Sequence, residues 1–234
     1  MLSEKMKQII KSFYYAILKP RLLSSFKRYT FSDEHLKFSH ILEGINYLRV
    51  ADMPKTYLEF GVHSGRTFST AINAANYLKI QDMSFYAFDS FQGLPEIKES
   101  IDGTFKTGEF KTKITDWKKI IKRKTGRNIT PENIVQGYYE DSLKNDPLPN
   151  LKKAGFVYID VDLYSSCKEV LNYLRPKLCV GTLIMFDDWY CFNAGESMGE
   201  RLALEEFCKE NPNFEFETWK NISTFGKSFF VTKI

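Results

Sequence analysis

Residues 58–67 read LEFGVHSGRT, an apolar run that passes through two glycines into a segment of helical character. A strand, a glycine turn and a helix in this order are typical of α/β folds that bind nucleotides, because Gly61 and Gly65 would let the backbone approach a ligand closely. His63 and Ser64 complete the predicted ligand-contacting turn, whose helix offers free N–H groups to a carboxylate. Two glycines are a weak signal, and an ordinary tight turn is an equally good interpretation.

Short apolar runs alternate with helical stretches from residue 56 onward, which is typical of βαβ units and a mostly parallel sheet. Seven strands are predicted, at Thr56–Val62, Ser84–Asp89, Asn133–Gly137, Gly155–Asp160, Thr182–Asp187, Phe214–Trp219 and Ser228–Lys233. Helices are predicted at Ser64–Lys79, Ser165–Arg175 and Ser197–Glu210. The last two strands have no helix between them and should form a hairpin. The predicted fold class is therefore α/β, a doubly wound, Rossmann-like sheet of seven strands.

Two further segments flank or interrupt this pattern. Residues 1–50 contain two predicted amphipathic helices, the second capped by Ser32, and are predicted to be a cap or a dimerisation segment. Residues 51–234 would then form the main domain. Within it, residues 91–130 break the βαβ rhythm, and we predict a lid over the active site, with an ordered surface decoration as the alternative.

Composition is that of an ordinary globular domain, with 43% hydrophobic and 26% charged residues in 234. Lysines interrupt every apolar run near the N terminus, so we expect no signal peptide, no transmembrane segment and a cytoplasmic protein. The formal net charge is +4, yet residues 106–127 hold nine basic residues against two acidic ones. This basic run could meet phosphates, acidic lipids or an anionic substrate, and a solvated surface is the simpler reading.

Acidic residues follow the second and third predicted strands. Asp89 ends the second strand, where a carboxylate can accept hydrogen bonds from both hydroxyls of a ribose. Asp141 follows the third strand and is predicted either to bind the amine of an adenine or to cap a helix. Together with the glycine turn, these positions favour a site for an adenosine-containing cofactor.

Four carboxylates end two later strands: Asp160 and Asp162 after the fourth, and Asp187 and Asp188 after the fifth. Because parallel strands end at the same edge of a sheet, these charges should converge and repel one another unless a cation or protons neutralise them. Oxygen ligands suit Mg²⁺ or Mn²⁺ better than zinc. The alternative is that one or two of them cap helices, as Asp162 could.

Several strings taken together resemble the macrocin O-methyltransferase family between Tyr57 and Phe207. They are LEFGV at 58–62, FDSFQGLP at 88–95, GY at 137–138, DVDLYSS at 160–166 and DDW at 187–189. The resemblance implies a class I methyltransferase sheet and a bacterial, metal-dependent enzyme. Such an enzyme transfers a methyl group from S-adenosylmethionine to a sugar hydroxyl on a natural product or a glycan.

The resemblance also assigns residues. Glu59 and Gly61 would line the methionine end of the cofactor, and Asp89, followed by Ser90, would hold its ribose. Metal binding is implied for Asp162, Asp187 and Asp188, with Asp160 assisting. Residues 84–96 contain no histidine that could act as the base, which leaves His63, in the glycine turn, as the histidine nearest the site. Asp162, Asp188 and His63 are therefore the predicted catalytic residues.

Other functions stay open at this point. A catechol or phenol O-methyltransferase is disfavoured because Leu163 stands where such enzymes often carry a lysine. An NAD-dependent dehydrogenase would leave the carboxylates unexplained. A non-catalytic cofactor-binding or RNA-binding module would use the basic runs, but these lack interleaved aromatic residues, so no nucleic-acid partner is expected. The expected acceptor is a small molecule or a glycan. The basic run suggests a phosphorylated or nucleotide-linked sugar as a further candidate acceptor.

Overall fold

A computed structural model describes residues 33–97 and 105–234 of the chain. Its strands are β1 Thr56–Phe60, β2 Ser84–Asp89, β3 Ile134–Gln136, β4 Phe156–Ile159, β5 Leu183–Phe186, β6 Glu215–Asn221 and β7 Lys227–Lys233. Its α-helices are α1 Asp33–Val50, α2 Arg66–Tyr77, α3 Ile114–Thr125, α4 Tyr139–Ser142, α5 Tyr164–Leu174 and α6 Gly199–Glu210. Of the two helices predicted in residues 1–50, the second is found as α1. The first predicted helix and the predicted cap Ser32 lie outside the described residues.

All seven strands form one sheet in the order β3-β2-β1-β4-β5-β7-β6, with β7 antiparallel to its neighbours and β1 to β5 parallel. The predicted fold class is confirmed. Strand order reverses between β1 and β4, so that a crevice opens at the carboxyl ends of these two strands. This topology decides where the site lies.

Helices cover both faces of the sheet, which explains why the central strands are apolar on both sides. On one face α5 and α6 pack against Leu58 and Val157, and on the other α1, α2 and α3 pack against Tyr57 and Phe156. Three α1 side chains, Ile41, Ile45 and Leu48, are completely buried in this second layer. The described part of residues 1–50 thus belongs to the core of the domain; the predicted dimerisation role is untested.

The segment predicted as a lid has two structural parts among its described residues. Residues 105–113 border the cleft described below, whereas α3 packs its buried Trp117 and Ile121 against α2. Gly65 makes this packing possible, because a Cβ atom there would lie 2.6 Å from Ile121 Cδ1 and 2.9 Å from Trp117 Nε1. No described helix is long and apolar enough to cross a membrane.

Candidate active site

A cleft of about 1120 Å³ lies at the carboxyl ends of the parallel strands. The loops after β1, β2, β3, β4 and β5 contribute to its walls, as does the 105–113 segment. Eight of the twelve predicted site residues line it: Gly61, His63, Asp89, Ser90, Asp160, Asp162, Asp187 and Asp188. The structure therefore brings most of the predicted residues into one cavity.

Gly61 is the point of closest approach between the ends of β1 and β4. Its φ angle is +83°, and a Cβ atom at this position would lie only 1.7 Å from the backbone oxygen of Asp160. A side chain is therefore excluded by the close approach of two neighbouring strand ends as well as by the space a ligand needs. The glycine predicted from the turn pattern is required by the fold itself.

Asp89 fastens the glycine turn to the end of β2. Its Oδ2 accepts hydrogen bonds from the backbone N–H groups of Val62, at 2.9 Å, and His63, at 3.0 Å. Its Oδ1 accepts a third from Phe91 at 2.6 Å. Each carboxylate oxygen has two lone-pair directions, so Oδ2 is fully used and Oδ1 retains one direction toward a ligand in the cleft. Asp89 shapes the cofactor turn whether or not it also touches a ribose.

His63 links the glycine turn to the segment predicted as a lid. Its Nδ1 lies 2.7 Å from the carbonyl oxygen of Phe110, and its ring meets the Phe110 ring edge-on at 5.6 Å. A carbonyl only accepts, so Nδ1 carries the hydrogen and Nε2 keeps its lone pair in the neutral ring. The imidazole can therefore hold Phe110 against the glycine turn and still offer the lone pair of Nε2 to the cleft.

Glu59 is buried beneath the turn and does not line the cleft. Thr67 donates a hydrogen bond to its Oε1 at 2.7 Å, and the Tyr57 hydroxyl donates to its Oε2. Burial raises the pKa of Glu59 to about 8, although both hydroxyls act in the opposite direction. This carboxyl group thus braces β1 against α2 from behind the cofactor turn.

The raised pKa of Glu59 predicts a pH effect on stability. The folded chain binds this proton more tightly than the unfolded chain, so the stabilisation is complete below about pH 4.5 and is lost as the pH rises toward 8. From pH 5 to pH 8, Glu59→Gln should lose roughly 3 kcal/mol less of its free energy of unfolding than the wild type. Urea denaturation at both pH values measures this difference. Glu205→Gln, which changes an exposed glutamate, is the control. The prediction would be contradicted if Glu59→Gln lost as much free energy of unfolding between the two pH values as the wild type, or as much as Glu205→Gln.

Three carboxylates meet in the cleft. One oxygen each from Asp160, Asp162 and Asp188 lie within 4.8 Å of one another. Burial and the neighbouring carboxylates raise the pKa of all three, that of Asp162 to about 8 and that of Asp188 to about 6. Asp188 Oδ2 is buried and has no hydrogen-bond partner within residues 33–97 and 105–234. Mutual repulsion and an unsatisfied oxygen are what a bound cation would relieve.

Asp187 stands beside this cluster with both oxygens already bonded. Tyr158 donates to Oδ1 at 2.7 Å, and the ammonium of Lys37, from α1, lies 2.6 Å from Oδ2. Nearby Asp160 and Asp188 also attract Lys37, whose pKa is raised despite its partial burial. Lys37 therefore supplies positive charge from outside the strand-end motifs.

Besides Glu59, three predicted cofactor residues do not line the cleft. Asp141 is exposed and forms an ion pair with Lys144 at 2.9 Å, while α4 begins after Tyr138, so Asp141 neither reaches the cavity nor caps the helix. Its neighbour Glu140 lines the cleft instead. Ser64 and Gly65 lie in the turn but outside the cavity wall, because Gly65 is used to pack α3.

A family model described as macrocin-O-methyltransferase (TylF) matches residues 33–211, about three quarters of the chain. The chain belongs to the macrocin O-methyltransferase family. The match begins at the first residue of α1, so the helix that carries Lys37 is part of the family domain and the resemblance is not confined to residues after Tyr57.

One curated relative and two solved structures are similar to this chain at low identity. Demethyldecarbamoylnovobiocin O-methyltransferase from Streptomyces niveus is 26% identical over 148 residues, which cover 59% of this chain and 54% of that relative. The match thus spans about half the length of the relative. The structure of the O-methyltransferase NovP has a TM-score of 0.71 at 18% identity, covering 85% of this chain and 81% of NovP. CalS11, a calicheamicin methyltransferase, has a TM-score of 0.67 at 18% identity, with 98% and 94% covered.

Functional residues that the sequence motifs miss come from outside the strand ends. Lys37 and Tyr158 hold Asp187, and Glu200, in α6, is a buried carboxylate beside Asp188. Nothing in the local sequence marks Lys37 or Glu200, because a charged residue on a helix is ordinarily solvent-exposed. Seven aromatic residues also line the cleft: Phe105, Phe110, Tyr138, Tyr139, Tyr190, Phe192 and Phe225.

Proposed function

We propose that this protein is an S-adenosylmethionine-dependent and Mg²⁺-dependent O-methyltransferase that acts on a hydroxyl of a sugar in a glycan or a natural product. The observation that carries the proposal is the cluster of Asp160, Asp162 and Asp188 in the same cleft as the glycine turn. Family membership supports the reaction class. The relative from Streptomyces niveus is named for O-methylation of a natural product, and CalS11 for the 3'-O-methylation of TDP-rhamnose.

The cofactor would lie along the carboxyl ends of β1, β2 and β4. Gly61 leaves its backbone open to the cleft, and Asp89 and Ser90 stand at the end of β2, where a ribose would lie. Several carboxylates in the lining favour a ligand that carries the positive charge of a sulfonium. We retain Glu59 as a residue that acts through the shape of the turn and propose no contact for Asp141.

The carboxylates fit a divalent cation, Mg²⁺ or Mn²⁺. Asp162 and Asp188 belong both to the implied ligand set and to the observed cluster, and we propose both as ligands. Asp160 is a third carboxylate available without breaking another contact, whereas Asp187 would have to share Oδ2 with Lys37. When bound, such a cation would lower the pKa of a chelated sugar hydroxyl and fix the direction of its attack.

One side chain in the lining can take the proton from the acceptor hydroxyl without serving as a cation ligand. His63 lines the cleft and offers the lone pair of Nε2. Burial and neighbouring carboxylates raise the pKa of Asp162 to about 8 in the metal-free cleft, but a bound cation would lower this pKa, so Asp162 would not act as a base while it holds the cation. We propose Asp162 and Asp188 as the groups that orient the acceptor through the cation, with His63 as the base.

Aromatic and acidic side chains form part of the cleft lining. Phe105 and Phe192 meet at 5.8 Å between ring centroids, and Phe110 lies 6.4 Å from Phe105. Such rings suit the apolar face of a sugar or an apolar group attached to it. Glu96 and Glu169 add negative charge to the lining. This negative charge does not favour the phosphorylated or nucleotide-linked sugar that the basic run suggested, although CalS11 is named for such an acceptor.

A thermal-shift comparison tests the cofactor and the metal together. S-adenosylmethionine and its demethylated product, at 100 times their Kd, should each stabilise the fold by about 2.7 kcal/mol, or roughly 5 to 11 °C in Tm for a chain of this length. NAD should give no comparable shift, and Mg²⁺ should add to the effect of the product. A larger shift with NAD would reject the methyltransferase in favour of a dehydrogenase.

A cytoplasmic location and a homodimer stay predictions.

A further inference from the structure

Glu200 is a buried carboxylate that the proposed reaction leaves unused. It lies in the first turn of α6 and is only 1% exposed. Its Oε2 accepts a hydrogen bond from the backbone N–H of Asp188 at 2.9 Å, across twelve residues of chain. Its Oε1 is buried and has no hydrogen-bond partner among the described residues. A carboxylate in such surroundings is costly, so a role that offsets the cost is expected.

The segment between Asp188 and Glu200 forms one wall of the cleft. Tyr190, Cys191, Phe192, Asn193 and Ala194, with Met198, line the cavity. Phe192, Asn193 and Ala194 have φ angles of 61°, 57° and 57°, the left-handed region that side chains other than glycine rarely adopt. Such a run persists only when surrounding contacts hold it in place. The bond from Asp188 to Glu200 joins the two ends of this strained wall.

Asp188 itself is held from two sides. Cys191 donates a hydrogen bond from its thiol to Asp188 Oδ1 at 3.2 Å, while Glu200 binds the backbone N–H of the same residue. The remaining oxygen, Oδ2, has no hydrogen-bond partner in the part of the chain that the structure describes. Together these contacts leave Asp188 one oxygen for the carboxylate cluster in the cleft.

We propose that Glu200 is a positioning residue that clamps the end of β5, fixing Asp188 for the cation and closing the 189–199 wall against which the acceptor lies. The inference rests on the proposed cation site. The clamp depends on a side-chain oxygen that accepts the hydrogen bond at a fixed distance from the backbone of α6, and it does not depend on negative charge. It thereby ties the geometry of the cation site to that of the acceptor wall.

Two conservative variants separate the reach of the oxygen from the presence of a carboxyl group. Glu200→Gln keeps an oxygen at the same reach, and Glu200→Asp keeps the carboxyl group but shortens the side chain by one methylene. We expect the Mn²⁺ Kd, measured by electron paramagnetic resonance of the free ion, to stay within about threefold of wild type in Glu200→Gln and to rise at least about tenfold in Glu200→Asp. Glu206→Gln, on the same helix and bonded to Tyr164 and Lys168, is the matched control and should leave the Kd unchanged.

Hydrogen exchange of the metal-free protein gives a second reading that does not depend on the cation. The Asp188 amide and residues 189–199 should exchange at least about tenfold faster in Glu200→Asp than in Glu200→Gln or wild type. Equal exchange in both Glu200 variants, or loss of Mn²⁺ binding in Glu200→Gln, would overturn the clamp. If the wild type does not bind Mn²⁺ but its Asp188 amide is protected from exchange relative to Glu200→Asp, the proposed metal site is rejected and the clamp is supported.

Discussion

Asp188→Ala is expected to lower kcat/KM for methyl transfer by about a thousandfold while the Kd for S-adenosylmethionine stays within about threefold. The cluster that Asp188 forms with Asp160 and Asp162 would lose one of its three carboxylates, and with it most of its affinity for a divalent cation. A thousandfold loss corresponds to about 4 kcal/mol of transition-state stabilisation, which is the order expected when a cation no longer activates the hydroxyl. Steady-state kinetics and calorimetry with the cofactor measure the two quantities.

The control for this variant is Asp141→Ala, which removes an exposed aspartate paired only with Lys144. It should change neither kcat/KM nor cofactor affinity by more than about twofold. Addition of EDTA to the wild type should reproduce the loss seen in Asp188→Ala, and Mg²⁺ in excess should reverse it. Full turnover in EDTA would reject the metal-dependent mechanism, and weakened cofactor binding in Asp141→Ala would return that residue to the adenine site.

Gly61→Ala is expected to lower the free energy of unfolding by at least about 3 kcal/mol, or Tm by at least about 6 °C, and to abolish cofactor binding. The added Cβ would lie 1.7 Å from the Asp160 backbone oxygen, so the ends of β1 and β4 would have to separate. Because those strand ends carry the glycine turn and the carboxylate cluster, the site would be distorted together with the fold. Thermal unfolding and calorimetry report the two effects.

Gly126→Ala separates the steric clash from the cost of the backbone conformation. Gly126 has a φ of +73°, close to the +83° of Gly61, but no atom lies within 4 Å of the position of its Cβ. Its substitution should cost only about 1 to 2 kcal/mol, the penalty of a left-handed conformation. If both variants lost the same stability, the close crossing at Gly61 would not be the cause.

The match between the sequence pattern and the sheet is close where the pattern is local. β2 is found at the predicted Ser84–Asp89, and β1 begins at the predicted Thr56 but ends at Phe60, two residues early. The difference arises because Gly61 leaves the strand geometry with a positive φ, while its N–H still bonds to Phe88. Strand ends are set by such contacts between neighbours, which apolar patterning does not record.

Site residues could be predicted from the sequence when the strand register alone delivers them to the sheet edge. Asp160, Asp162 and Asp188 are of this kind, since each lies one to three residues after the end of a parallel strand. Glu59 was placed correctly in β1 but its side chain points to the helix layer, where Tyr57 and Thr67 bind it. Alternation along a strand decides this orientation, and a strand buried on both faces gives no pattern from which to infer it.

The amino-acid sequence by itself determined the α/β class, the glycine turn and the convergence of four acidic residues, because these follow from periodicity and from the common edge of parallel strands. Only the tertiary structure decided which carboxylates share a cluster. It also decided that Lys37 of α1 donates a hydrogen bond to Asp187 and that Glu200 of α6 accepts one from the backbone of Asp188. These contacts join residues 150 and 12 positions apart. They arise from the packing of helices onto the sheet, whose distances and side-chain directions are fixed only once the whole core has formed.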